Sequence, residues 1–98
     1  MIVVKILPMR ASEPRDKLAD AELHFRLGPL EGMKLVGFSV WEHANGVDLT
    51  VSFPTCQYAA NGERRSFTLL RPIDNPAPRA VVRTLILDAF AAYESTVL

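Results

Sequence analysis

The sequence predicts an α+β fold: an antiparallel β-sheet of about five strands, arranged as a meander plus a hairpin, with one long C-terminal helix. Three observations carry this expectation. Residues 19–27 and 47–53 alternate apolar and polar side chains with a period of two. Asn45-Gly46 and Asn61-Gly62 supply tight-turn chemistry between extended segments. Beyond Asp74-Asn75-Pro76-Ala77-Pro78 the pattern changes to a run with few polar positions, ending near Glu94.

Taken in order, residues 2–7 are mostly β-branched and apolar, and Pro8 ends them. They suit a first strand with both faces at least partly covered. Residues 11–17 are mostly polar and contain Pro14, which predicts an exposed connection. In the next strand Ala19, Ala21, Leu23, Phe25 and Leu27 point one way, and Asp20, Glu22, His24 and Arg26 the other. Gly28-Pro29 and Glu31-Gly32 bracket a turn. Residues 33–43 form a third strand, with Val36, Phe38 and Val40 on one side and Leu35, Gly37, Ser39 and Trp41 on the other. A hairpin loop over residues 42–46 leads back through Val47, Leu49, Val51 and Phe53, whose side chains form an inward face.

Pro54 breaks that strand. Residues 55–65 then read as a connection carrying exposed polar and aromatic side chains, turning at Asn61-Gly62, before a further strand runs back to Pro72. Asn75 is a good N-cap, and prolines are tolerated in a first helical turn, where amide hydrogens lack partners. The helix has polar residues only at Arg79, Arg83, Thr84, Asp88 and Glu94. A helix lying on one sheet needs an apolar stripe of about 100°. The broader stripe predicts a second covering surface, which in a chain this short is another copy; the alternative is that the alanines tolerate exposure and only Leu87 sits awkwardly. A homodimer is expected, with helix residues 81–93 and the sheet edges at the interface.

At 98 residues, residues 1–98 make a single domain with a thin core. The composition, 49% hydrophobic and 22% charged, is that of an ordinary globular chain rather than a disordered one. One cysteine excludes an intrachain disulfide and cannot supply a thiolate cluster for zinc, which fits a reducing, cytoplasmic setting. Lys5 interrupts the N-terminal apolar run, so it reads as a strand and not a signal peptide. No stretch approaches the roughly 20 apolar residues of a membrane span, so a soluble protein is expected.

Little in the chain suggests a reaction. Cys56, His24 and His43 have neither metal-ligand spacing nor the arrangement of a nucleophile and its base, and Cys56 reads as a half-buried structural cysteine. Glu22, two residues from His24, is a solvated neighbour on a strand face. The five glycines are too dispersed for a phosphate loop. No catalytic residue, metal site or cofactor is expected, and the protein reads as not an enzyme.

Charge distribution says more than its total, in which 11 basic residues balance 11 acidic ones. Residues 63–83 hold five arginines, Arg64, Arg65, Arg71, Arg79 and Arg83, against Glu63 and Asp74, a net +3. Arginine suits phosphates and base edges, and Tyr58, the ring expected to be exposed, lies nearby. The candidate nucleic-acid-binding residues are therefore Arg64, Arg65, Arg71 and Arg79, with Gln57 and Tyr58 contacting bases or sugars. The alternative is that these arginines pair with Glu63, Asp74 or Asp88 and only solubilise the surface.

The sequence Gly46-Val-Asp-Leu-Thr-Val-Ser-Phe-Pro54, the Asn61-Gly62-Glu63 turn with Arg65, Arg71-Pro72-Ile73, and a last helix ending in Ala-Phe-Ala-Ala-Tyr-Glu together resemble the stage V sporulation protein G (SpoVG) family. The resemblance covers nearly the whole chain, residues 1–95. It implies an α+β fold assembled as a dimer, and a small bacterial regulator that binds DNA or, in some members, RNA. Family members carry basic residues directly after the proline-ended strand, where this chain has Thr55, Cys56, Gln57 and Tyr58. Two readings follow: a nucleic-acid-binding regulator, and a protein-interaction or scaffold module that keeps the fold without nucleic-acid binding.

Overall fold

The computed structural model describes residues 1–8, 16–43, 46 and 48–97. Most of the connection expected over residues 11–17 lies outside the described residues, as do Asn45 and Val47. The elements are β1 (Ile2–Leu7), β2 (Lys17–Phe25), β3 (Lys34–Glu42), β4 (Leu49–Ser52), β5 (Thr55–Ala60), β6 (Glu63–Thr68) and α1 (Ala77–Val97). Strands β1 to β4 form one antiparallel sheet in chain order, the expected meander, while β5 and β6 form a separate two-stranded sheet. The fold is α+β. It has a sixth strand because residues 55–60, expected as a connection, pair with β6 along their whole length.

The alternation in β2 does what its pattern requires: Ala19, Ala21 and Leu23 are buried against the helix side of the sheet. Phe38 and Val40 from β3, Val51 and Phe53 after it, and Ile86 and Phe90 of α1 complete the core. The rings of Phe38 and Phe53 meet edge to face at 5.2 Å, a favoured aromatic geometry. The strand ends at Phe25, so Leu27 sits in the following turn, exposed, instead of continuing the inward face. β1 is an edge strand: Val4 and Ile6 pack on the core, but Val3 and Lys5 face solvent, so its outer face is more open than expected.

In β3 the expected facing is corrected by a bulge. Ala21 pairs with Phe38 but Leu23 pairs with Leu35, so β3 carries one extra residue between those pairs. Leu35 consequently joins the core side, and Val36 turns out to solvent. Gly37, with φ of +108°, makes the bulge possible. A Cβ there would lie 2.8 Å from Pro54 Cβ, so the buried proline that ends β4 packs directly on this glycine.

Asn75 Oδ1 accepts the Ala77 N–H at 3.0 Å, satisfying one of the amides that a helix start leaves free. Ile86 and Phe90 of α1 are buried, and Val82, Leu87 and Tyr93 lie half-buried beside them. Val81 and Leu85, one helical face away, are 59% and 37% exposed. No helix among the described residues is long and apolar enough to cross a membrane.

Candidate nucleic-acid interface

The β5–β6 hairpin is an arm. Of its twelve strand residues only Ala60 and Thr68 are half-buried; both faces of the rest are exposed. The radius of gyration, 14.9 Å, exceeds the about 12.6 Å expected for a compact chain of this length. The arm is rooted at Pro54, whose carbonyl accepts the Leu69 N–H at 2.8 Å. Its tip is Asn61-Gly62, both with positive φ (54° and 79°), as a two-residue type I′ turn requires.

Register then decides which side chains share a face. Cys56 pairs with Phe67, Tyr58 with Arg65 and Ala60 with Glu63; Thr55 pairs with Thr68, Gln57 with Ser66 and Ala59 with Arg64. Directly opposed residues lie on the same face of a ribbon. One face therefore carries Cys56, Tyr58, Glu63, Arg65 and Phe67, and the other Thr55, Gln57, Arg64, Ser66 and Thr68.

On the first face Tyr58 and Phe67 are exposed to a similar degree, with ring centroids 5.7 Å apart. Arg65 Nη2 donates to Glu63 Oε2 at 3.3 Å, an exposed ion pair that offsets its charge. Cys56 is exposed, not half-buried; its Sγ donates weakly to the Gln57 carbonyl at 3.8 Å. On the second face Arg64 makes no ion pair with any of the described residues, and no carboxylate shares that face of the ribbon.

The other expected arginines sit elsewhere. Arg79 lies over the Phe53 ring with its guanidinium carbon 5.2 Å from the centroid, a cation–π contact that joins helix to sheet. Arg83 Nη2 donates to the Leu49 carbonyl at 3.2 Å. Arg71 follows the arm and, with Arg79, Phe53, Leu70, Pro72, Pro78 and Val82, lines a shallow, mainly apolar hollow. The five arginines thus do not form one continuous patch. Gln57 and Arg64 come together on one face of the arm and Tyr58 and Arg65 on the other, while Arg71 and Arg79 share the hollow beyond its root and Arg83 belongs to the helix–sheet joint.

Sequence reasoning missed Thr55, Ser66 and Thr68, which flank Gln57 and Arg64. The signal was present: a two-residue Asn-Gly loop fixes Ala60 opposite Glu63, and counting outwards gives every other pair.

A second group of ionisable side chains lies on the sheet face away from the helix. His24 Nε2 is 3.0 Å from Glu22 Oε1, and Lys34 Nζ donates to the same carboxylate at 3.3 Å and 3.4 Å. The His24 hydrogen bond, aided by Lys34 and opposed by partial burial, holds the Glu22 carboxyl below its usual value. Lys17 Nζ pairs with Asp20 at 2.7 Å, and Ser39 Oγ donates to the same carboxylate at 3.0 Å. These contacts balance charge within the face. Among the described residues, no three His, Cys, Asp or Glu side chains converge as metal ligands would.

No protein-family model matches the chain, and no curated protein or solved structure is significantly similar to it.

Proposed function

We propose that this protein is a small, non-enzymatic regulator that binds nucleic acid as a homodimer, through the β5–β6 arm and Arg71 beyond its root. The observation that carries the reading is Arg64: it is exposed, without an ion pair among the described residues, and flanked by Gln57 and Ser66 on an arm both of whose faces are open. A guanidinium in that setting is available to phosphate or base edges, whereas Arg65 is partly offset by Glu63 and Arg79 is used in packing. The resemblance to the SpoVG family supports the same reading, in which the chain is a divergent relative.

The test is a mobility-shift titration against mixed-sequence DNA and RNA between low and moderate salt. Binding that weakens steeply with salt is expected, because phosphate contacts release counterions. The Arg64→Ala/Arg71→Ala double variant should bind several-fold more weakly with a shallower salt slope. Absence of binding at low salt by the intact protein would sink the proposal.

One observation favours a protein-interaction module instead. Tyr58 and Phe67 form an exposed ring pair, and aromatic side chains of this kind are enriched at protein interfaces. Affinity capture from nuclease-treated extract separates the two readings: partners that persist without nucleic acid support this one, and partners that vanish argue against it.

A further inference from the structure

We infer that the arm is a reader of duplex DNA, which enters the major groove with its Thr55, Gln57, Arg64, Ser66 and Thr68 face towards the base edges. This rests on the nucleic-acid reading above and specifies the ligand and the face that meets it.

The arm is a two-stranded antiparallel ribbon, six residues per strand, and so about 20 Å long with strands about 4.8 Å apart. The major groove of B-form DNA, about 12 Å wide and about 8.5 Å deep, admits a ribbon of this kind. The major groove of an RNA duplex is deep and too narrow for side-chain readout.

Chemistry is divided between the two faces. On the Gln57 face every side chain except Ala59 is a hydrogen-bonding group, and none is a carboxylate. Gln57 has the amide that pairs bidentately with adenine, and Arg64 the guanidinium that pairs with guanine O6 and N7. They occupy adjacent rungs of the ladder as a diagonal pair, so their Cβ atoms are about 7 Å apart. That spacing lets them address bases one or two steps apart. Ala59, opposite Arg64, is small enough to leave the guanidinium room to extend.

Binding a single strand uses exposed rings in a positively charged groove. Here the rings of Tyr58 and Phe67 contact each other, and the arginine beside them is paired with Glu63. Rings and unpaired guanidinium are on opposite sides of the ribbon, which disfavours a single-strand platform and leaves the aromatic face for protein contact.

The experiment measures fluorescence anisotropy of the full-length protein with a mixed-sequence DNA duplex, the corresponding single strand, and an RNA duplex of the same sequence. The DNA duplex should bind tightest, and a major-groove ligand such as methyl green should displace the protein while the minor-groove ligand netropsin should not. Arg64→Ala and Gln57→Ala should each weaken duplex binding about tenfold, and Arg65→Ala should stay within about twofold. All three positions are exposed on the arm, and circular dichroism confirms folding of each variant. Preference for either alternative ligand, displacement by netropsin, or equal losses at Arg64 and Arg65 would overturn the inference while leaving nucleic-acid binding intact. No binding to any of the three probes would overturn both.

Discussion

Gly37 and Pro54 fix where the arm leaves the body. The backbone at Gly37 has φ of +108°, a region costly for any residue with a Cβ, and the Pro54 ring would meet that Cβ at 2.8 Å. A proline ring in a buried position cannot swing away as a long side chain does. Gly37→Ala should therefore destabilise the fold by about 2–4 kcal/mol, combining backbone strain and overpacking. Gly28 provides the control: its φ is +83°, but nothing lies within 4 Å of an added Cβ. Gly28→Ala should cost only about 1–2 kcal/mol. Urea unfolding of both variants checks the difference, and equal losses would show that Pro54 yields. Glu22 offers a second residue-scale test. Its folded-state pKa lies below the unfolded value, so its contribution to stability is full above the ordinary value of 4.5 and is lost as pH falls through the folded one. Glu22→Gln should thus be less stable than the parent at pH 7, and that deficit should close as pH falls through the lowered folded-state value. A deficit that persists in acid would place the role of Glu22 in packing rather than charge.

At the scale of elements, strands and helix differ in how legibly the sequence encodes them. β2 follows from its period of two, apart from Leu27 beyond its end, and α1 from its capping Asn75, first-turn prolines and long run with few polar positions. β5 is obscured for a physical reason. Residues 55–60 follow a proline and bury almost nothing, so no burial pattern shapes them; their strand exists because the Asn61-Gly62 turn folds them back onto β6. The facing of β3 is obscured differently. Leu35 and Val36 are both apolar, so the pattern fits either phase, and only the bulge at Gly37 decides between them. The same lack of burial predicts how the arm behaves. A two-stranded ribbon with both faces in water is marginally stable by itself. Amides within residues 55–68 should therefore exchange with solvent far faster than those of β2 and β3, by at least about a hundredfold. Saturating duplex DNA should slow the arm amides selectively. Uniform protection across the chain in the free protein would mean that the arm is already held by another surface.

For the whole molecule, the balance of apolar surface is the telling feature. Among the described residues nine apolar residues are buried, while thirteen large apolar ones are exposed. Scattered exposure is normal, but Ile73 at 96% is extreme for a body with so small a core, and Val81 and Leu85 are exposed side by side on the helix. Ala80, Val81, Thr84 and Leu85 outline a shallow concavity on the face of α1 turned away from Ile86 and Phe90. A second copy docking there would relieve the shortage of core, and would also bring two arms into one assembly, so that each arm needs only modest affinity for DNA. If folding and association are coupled in this way, the melting temperature must depend on concentration, since dimerisation stabilises by mass action. We expect the melting temperature of the parent protein to rise by several degrees between low-micromolar and high-micromolar concentrations. Placing a carboxylate on the face, as in Val81→Asp/Leu85→Asp, removes about 1 kcal/mol of apolar burial per side chain in each copy and sets charge against charge across a twofold. That variant should sediment as a monomer, melt at a temperature independent of concentration, and bind DNA with reduced avidity while its arm chemistry is unchanged. A parent protein that sediments as a monomer at high concentration would remove the helix face from the proposal and leave the arm to act alone.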